Sequence, residues 1–172
     1  MPGPPVSFAR SLADRYRLER ELGAGGMAIV YLAHDLKHDR PVAIKVVRPE
    51  IACGFGTERF LREIQIAARL QHPLILAVID SGQTDEPEPR PYYVMPYVEG
   101  ESLRERLTRD GPLSVEAALP LVKEIGEALE YAHREGVIHR DLKPENVLLF
   151  RGHALVADFG IARAARMAGD PR

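Results

Sequence analysis

The amino-acid sequence predicts an α+β fold in two lobes, with the division near Tyr97. Strand-like runs broken by Gly and charged residues fill residues 16–47 and recur at 91–97. Between them, apolar residues at helical spacing follow Thr57. Beyond Tyr97 the pattern turns mainly helical and closes on a small hairpin, so strands gather in the first part and helices in the second.

Residues 1–14 read as a Pro-rich lead-in ending in a short helical turn, Ser7 to Asp14. Tyr16 to Leu22, Ala28 to Ala33 and Val42 to Val47 are three predicted strands. Gly23-Ala24-Gly25-Gly26 forms the turn between the first two, and Asp39-Arg40-Pro41 lies in the turn before the third. Thr57 is the expected N-cap of a helix whose apolar face is Phe60, Leu61, Ile64, Ala67 and Ala68, reaching to Gln71 before His72-Pro73 ends it. Leu74 to Ile79 and Pro91 to Tyr97 are two more predicted strands, separated by a polar loop from Asp80 to Arg90. A short helix is expected over Glu101 to Arg109. Ser114 caps a longer one to about Arg134, with Val115, Ala118, Leu119, Val122, Ile125, Leu129 and Ala132 on its apolar face. Pro120 falls inside that helix and costs roughly 3 kcal/mol unless the helix kinks or starts later. Val147 to Phe150 and Ala154 to Ala157 flank Arg151-Gly152-His153 as a hairpin.

Composition narrows the function classes. Hydrophobic residues are 45% and charged residues 28% of the 172, which is ordinary for a globular chain. A formal net charge of −2 argues against a general nucleic-acid or anionic-membrane binder. The single cysteine, Cys53, excludes an intrachain disulfide or a cysteine-built zinc site, and a reducing compartment is expected. No run approaches the roughly 18 apolar residues that a membrane helix needs. Met1-Pro2-Gly3-Pro4-Pro5 has neither the basic region nor the apolar core of a secretory signal. The cytoplasm is the expected location, with a membrane anchor left open for a longer parent protein.

Four segments carry chemistry. Leu22 to Val30 is Gly-rich, and glycines let backbone N–H groups approach phosphate oxygens with no Cβ in the way. No Gly-Lys-Ser/Thr follows, as a P-loop requires, and no helix follows, as a dinucleotide-binding turn requires. Val42-Ala43-Ile44-Lys45 ends a strand on an ammonium that could reach nucleotide phosphates, and Glu63 on the Thr57 helix is the carboxylate placed to hold it. Val137 to Leu149 packs His139, Arg140, Asp141, Lys143, Glu145 and Asn146 between apolar flanks. There Asp141 can accept a proton, Lys143 can neutralise a transferring phosphoryl group, and Asn146 offers an amide oxygen to a hard cation such as Mg2+. Val156-Ala157-Asp158-Phe159-Gly160 presents the Asp158 carboxylate at a strand end.

Together these segments resemble the eukaryotic-like protein kinases, specifically the bacterial Ser/Thr type, from about Tyr16 to Arg163. The resemblance implies a five-stranded antiparallel N-lobe sheet with one main helix (residues 15–96) and an incomplete, mainly helical C-lobe (97–172). It implies ATP-dependent phosphorylation of Ser or Thr on a protein substrate, with Mg2+. Residue by residue, Gly23, Ala24, Gly25, Gly26, Met27, Ala28 and Ile29 would cover the phosphates, and Lys45, paired to Glu63, would hold them. Leu22, Val30, Ala43 and Leu148 would sandwich the base. Met95 would be the gatekeeper, and Pro96, Tyr97 and Val98 the hinge. Asp141 would be the catalytic base with Lys143 beside it, and Asn146 and Asp158 the metal ligands. Lys143, two positions after Asp141, is the Ser/Thr rather than the Tyr pattern, and Arg140 resembles kinases controlled by activation-loop phosphorylation.

The chain also departs from the pattern. Ala28 stands at the third loop glycine, Leu74 stands where a polar residue is usual, and Pro120 interrupts the long helix. After Gly160 come 12 residues without Ser, Thr or an Ala-Pro-Glu segment, so the helices that finish the C-lobe and dock a peptide are expected to be missing. The apolar face of the Ser114 helix would then meet water. Losing about 400 Å² of apolar burial removes on the order of 10 kcal/mol, so the chain by itself is expected to be weakly stable and largely inactive. A catalytically inactive nucleotide-binding or interaction module is the alternative reading. A small-molecule kinase of the same architecture is disfavoured by Lys143-Pro144-Glu145-Asn146.

Overall fold

A computed structural model describes residues 6–26, 28–48, 57–87 and 89–159. The expectations placed on Met27, Cys53, Gly160 and the residues after it lie outside these. Among the described residues the chain divides into two compact units: those up to Gln65 together with Val78–Tyr97, and Ile66–Ala77 together with Val98–Phe159.

The first unit contains α1 (Val6–Leu12), β1 (Tyr16–Ala24), β2 (Ala28–Asp35), β3 (Arg40–Val47), most of α2 (Thr57–Ala67), β4 (Asp80–Gln83) and β5 (Pro91–Pro96). The five strands form one antiparallel sheet in the order β1-β2-β3-β5-β4. Side chains alternate across a strand, and the register therefore sorts them into two faces. Val42, Ile44 and Val46 of β3 stand opposite Ala33, Tyr31 and Ile29 of β2, and opposite Pro96, Val94 and Tyr92 of β5. That face forms the core with Phe8 and Leu12 of α1 and with Tyr16, so α1 is built into the unit. On the other face Ala43 stands between Leu32 and Met95, and Lys45 between Val30 and Tyr93. The β2–β3 turn closes on Asp35, fully buried, whose Oδ1 accepts the Lys37 N–H (3.1 Å) and whose Oδ2 lies 2.8 Å from His38 Nδ1. Burial pushes the Asp35 carboxyl up, but hydrogen bonds from His38, Lys37 and Arg15 outweigh it and hold the group well below the usual carboxylate range.

In α2 the apolar spacing holds for Phe60, Ile64 and Ala67, which are buried, with Leu61 and Glu63 half-buried beside them, whereas Ala68, expected on the same face, is exposed just past the helix end. The helix ends at Ala67 rather than Gln71. Its last turn tightens, with Arg69 and Leu70 N–H donating to the carbonyls three residues back. Two further expectations are corrected. Leu74 to Ile79 is not a strand: Leu76 N–H donates to Val156 O and Val156 N–H to Leu74 O, so this apolar run makes a single parallel bridge within the second unit. The fourth strand lies in Asp80–Gln83, inside the expected polar loop, because its backbone completes the edge of β5.

The second unit adds β6 (Glu101–Ser102), α3 (Leu103–Asp110), α4 (Val115–Arg134), a 3-10 turn (Pro144–Asn146), β7 (Val147–Phe150) and β8 (His153–Val156). The expected helix over Glu101 to Arg109 starts two residues late. Ser102 is its N-cap, Glu105 closes a capping box, and Glu101 and Ser102 pair with β7 instead. Ser114 caps α4, which runs through Pro120 as one helix; Pro120 sits in the second turn and is exposed. Of α4, only Ala128 and Ala132 are buried, whereas Val115, Leu119 and Val122 are 68%, 52% and 63% exposed, so this part of the apolar face meets water as expected. Glu124 ties the helix to β8 by accepting the Ala154 N–H (2.7 Å) and pairing with His153 (2.6 Å). Arg151 and Gly152, both at positive φ, make the two-residue hairpin turn. Among the described residues no helix is long and apolar enough to cross a membrane.

Candidate active site

The candidate residues fall into one group on each unit. In the first unit, the end of the β1–β2 hairpin carries the Gly-rich segment. Gly23 pairs with Val30, Ala24 with Ile29, and the Gly25 N–H donates to Ala28 O (2.9 Å). A Cβ on Gly23 or Gly26 would meet nothing within 4 Å, one on Gly25 would meet only Ala28 O at 3.7 Å, and none of the three has the φ that demands glycine. The hairpin itself therefore has no steric need of glycines here, although each costs chain entropy. A bare backbone at this tip fits a ligand that must come close to it, such as a phosphate.

Behind the tip, the sheet face opposite the core brings together Val30, Ala43, Lys45 and Met95. Ala43 and Met95 are buried, while Val30 and Lys45 are half-buried. Leu22 is half-buried on β1 and Glu63 half-buried on α2. Tyr97 ends the Val78–Tyr97 stretch of the first unit, and Val98 begins the following stretch of the second. Met27 lies outside the described residues.

In the second unit, Asp141, Lys143 and Asn146 come together around one carboxylate. Lys143 Nζ lies 2.7 Å from Asp141 Oδ2. The Asn146 amide nitrogen donates to the Asp141 main-chain carbonyl (2.9 Å) and to Oδ2 (3.3 Å). With its nitrogen turned to Asp141, the buried Asn146 side chain keeps its oxygen as the atom that can coordinate a cation. Pro144 starts the 3-10 turn that sets this geometry: Asn146 N–H donates to Lys143 O and Val147 N–H to Pro144 O.

Asp158 is half-buried at φ 66°, a left-handed conformation that a non-glycine residue adopts only when its surroundings enforce it. The preceding residue is fixed at both ends. Ala157 N–H donates to Asn146 O (2.9 Å), and Ala157 O accepts from His139 Nε2 (2.8 Å). Phe159 is buried against the His139 ring, with centroids 4.6 Å apart. Asn146 and Asp158 could offer two oxygen ligands to a cation, and among the described residues no cluster of three His, Cys, Asp or Glu could hold a metal alone. That donor set fits Mg2+, which is commonly held by one or two protein oxygens together with phosphate oxygens and water.

The sequence reading assigned His139 no role, yet it organises this unit. Its Nδ1 accepts the Asp141 N–H (3.3 Å) while Nε2–H donates to Ala157, so both ring nitrogens are used and the ring is neutral. Burial lowers its pKa, and the Ala157 carbonyl and the nearby carboxylates only partly offset this. Val137 and His139 are buried, whereas Ile138 and Arg140 are exposed, an alternation that the residue types do not announce because apolar Ile138 faces out and His139 faces in. Leu148 is half-buried on β7.

The family profile of the protein kinase domain matches residues 16–170. The serine/threonine-protein kinase PknB of Mycolicibacterium smegmatis is 45% identical over 168 residues, covering 96% of this chain and 27% of that protein. The crystal structure of the Mycobacterium tuberculosis PknI kinase domain superposes with a TM-score of 0.74 at 39% identity, covering 85% of this chain and 60% of that one. Rad53 1-466 in complex with AMP-PNP has a TM-score of 0.73 at 26% identity, covering 87% and 39%. The chain spans about a quarter of the length of the curated relatives it matches.

Proposed function

The chain belongs to the protein kinase domain family, and from that premise we propose that it transfers the γ-phosphoryl group of Mg-ATP to a Ser or Thr hydroxyl of a protein substrate. The observation that carries this reading is the Asp141 cluster, in which a carboxylate, an ammonium 2.7 Å away and an oriented amide share one short loop. Phosphoryl transfer asks for these groups: a proton acceptor for the hydroxyl, a cation for the charge on the moving phosphoryl, and a metal ligand. AMP-PNP, bound by the structural relative Rad53, supports a nucleoside triphosphate as the ligand.

In this proposal the Gly23–Ile29 backbone and Lys45, held by Glu63, orient the phosphates. Leu22, Val30, Ala43, Met95, Tyr97, Val98 and Leu148 contact the base and its surroundings. Asp141 Oδ2 takes the proton as the substrate oxygen bonds to phosphorus and ADP leaves. Lys143 faces that carboxylate and the developing negative charge. Asn146 and Asp158 would hold Mg2+. When bound, the cation neutralises phosphate charge. His139 fixes Asp141 and Ala157 in place. The inactive-module alternative is disfavoured because every group needed for the chemical step is in the chain and the relatives are named as kinases.

The test is transfer of labelled phosphate to a generic Ser/Thr protein substrate by the purified chain, with nucleotide binding measured in parallel. Lys45→Met is expected to weaken nucleotide binding and abolish transfer. Asp141→Asn is expected to keep binding and lower transfer by about 10²–10⁴-fold. Transfer that survives Asp141→Asn undiminished overturns the assignment of the base, and nucleotide binding that is absent in the parent chain overturns the function.

A further inference from the structure

The 3-10 turn that carries Asn146 is held from one side by its own hydrogen bonds to Asp141 and Lys143. From the other side it is reached by Arg104, whose Nε donates to Glu145 Oε1 at 2.9 Å. Arg104 lies in the first turn of α3, and the place of that turn is set independently. The Ser102–Glu105 capping box fixes the helix start (Ser102 N–H to Glu105 Oε2, 2.7 Å), and Ser102 and Glu101 pair with Leu148 and Leu149 of β7. β7 begins directly after Asn146. The elements therefore form a closed ring: the turn, β7, β6, the first turn of α3, Arg104, and back to the turn through Glu145. The other links are backbone pairing, helix capping and the chain itself, with an Arg109–Glu101 ion pair also joining α3 to β6; among the described residues the Arg104–Glu145 contact is the ion pair that reaches the turn from α3.

We infer that Arg104 is a positioning residue whose contact with Glu145 closes this ring and holds the Asn146 amide in register with Asp141. Its functional meaning rests on the phosphoryl-transfer reading, in which the Asn146 oxygen is a metal ligand. The ion pair is half-exposed, so it contributes little to global stability. Its effect is local, acting on the residue next to Glu145. The Glu145 carboxyl is lowered in pKa by its own backbone N–H first and by Arg104 second, as expected for an anion held at the start of the turn.

The test compares Arg104→Glu, Glu145→Arg and the double exchange in the full chain. Side-chain amide proton exchange of Asn146 is followed by NMR, alongside the Mg2+ concentration for half-saturation with a fluorescent ATP analogue and the melting temperature. Each single reversal is expected to speed Asn146 exchange by about fivefold, the ratio equivalent to ~1 kcal/mol, with a similar rise in the Mg2+ requirement and little change in melting. The double exchange should restore both. Unchanged Asn146 exchange in the single variants, or no restoration in the double, overturns the inference. A parent chain that binds no nucleotide while Asn146 exchange still follows the charge pattern would instead refute the phosphoryl-transfer reading and leave the ring standing.

Discussion

His139 is 2% exposed, and each of its ring nitrogens is committed to the backbone of a different segment, Asp141 on one side and Ala157 on the other. Protonation would put a proton on Nδ1, where the Asp141 N–H now donates, so the fold selects the neutral ring. The unfolded chain takes up its proton near the ordinary value of 6.5, whereas the folded ring stays neutral to lower pH. Between those two values the unfolded state binds more protons, so the contribution is fully present above 6.5 and is lost as pH falls through the folded value. The melting temperature is therefore expected to fall as pH drops below about 6.5, and His139→Asn should flatten that slope while lowering stability by about 1–3 kcal/mol. Asp35, Glu86 and Glu124 are depressed carboxylates, and their losses begin only at lower pH. An identical slope in His139→Asn would remove His139 as the cause. Asp141, Lys143 and Asn146 were legible as site candidates because three chemically distinct polar groups in so short a segment have few bland explanations. His139 was not, because its role is to hold two backbone segments together, and contacts between distant segments leave no trace in local spacing.

At the scale of elements, the two-residue strand β6 depends on a close approach. A Cβ on Gly100 would lie 2.2 Å from Leu149 O, a distance that backbone atoms cannot keep. Gly100→Ala is expected to push β6 off β7, cost about 1–3 kcal/mol and loosen the ring through Arg104. Increased hydrogen exchange at Leu148 and Leu149 is the readout, and unchanged protection there would refute it. The same element explains one misreading of the sequence: Glu101 and Ser102 have the composition of a helix start, and only their pairing with β7 makes them a strand. Leu74 to Ile79 failed for the opposite reason. Its apolar run has strand chemistry, but Leu74 and Leu76 bond to Val156 and only Ile79 N–H reaches Val94 of β5, while the unremarkable Asp80-Ser81-Gly82-Gln83 stretch is drafted as an edge by β5. β2, β3, β5, α4 and the β7–β8 hairpin were legible because alternation, capping and turn residues agree with their tertiary setting. At Leu74–Ile79, Asp80–Gln83 and Glu101–Ser102 a partner strand distant in sequence decided the outcome, whereas the early end of α2 reflects its tightened last turn.

For the whole molecule, the two units differ in how they spend their apolar residues. The first closes a continuous core from α1 across β2, β3 and β5, with Phe8, Ala33, Val42, Ile44 and Val94 all fully buried. In the second, the longest helix buries only Ala128 and Ala132 and leaves Val115, Leu119 and Val122 facing water. Few buried contacts mean a small free-energy cost of local opening. Hydrogen exchange should thus reveal two levels of protection. Amides of β3 and β5 should exchange only through the largest openings of the first unit. Amides over residues 119–126 of α4 should exchange through local opening, with protection recovering towards Ala128 and Ala132. Replacing Leu119 and Val122 by Lys should leave both levels within about 0.5 kcal/mol, because those side chains gain nothing from the fold, whereas Ala132→Leu should lower protection along α4 by overpacking, at about 1–3 kcal/mol. Uniform protection along α4, or a large loss on replacing Leu119 and Val122, would mean that this face is covered in solution and that the weak half of the molecule lies elsewhere.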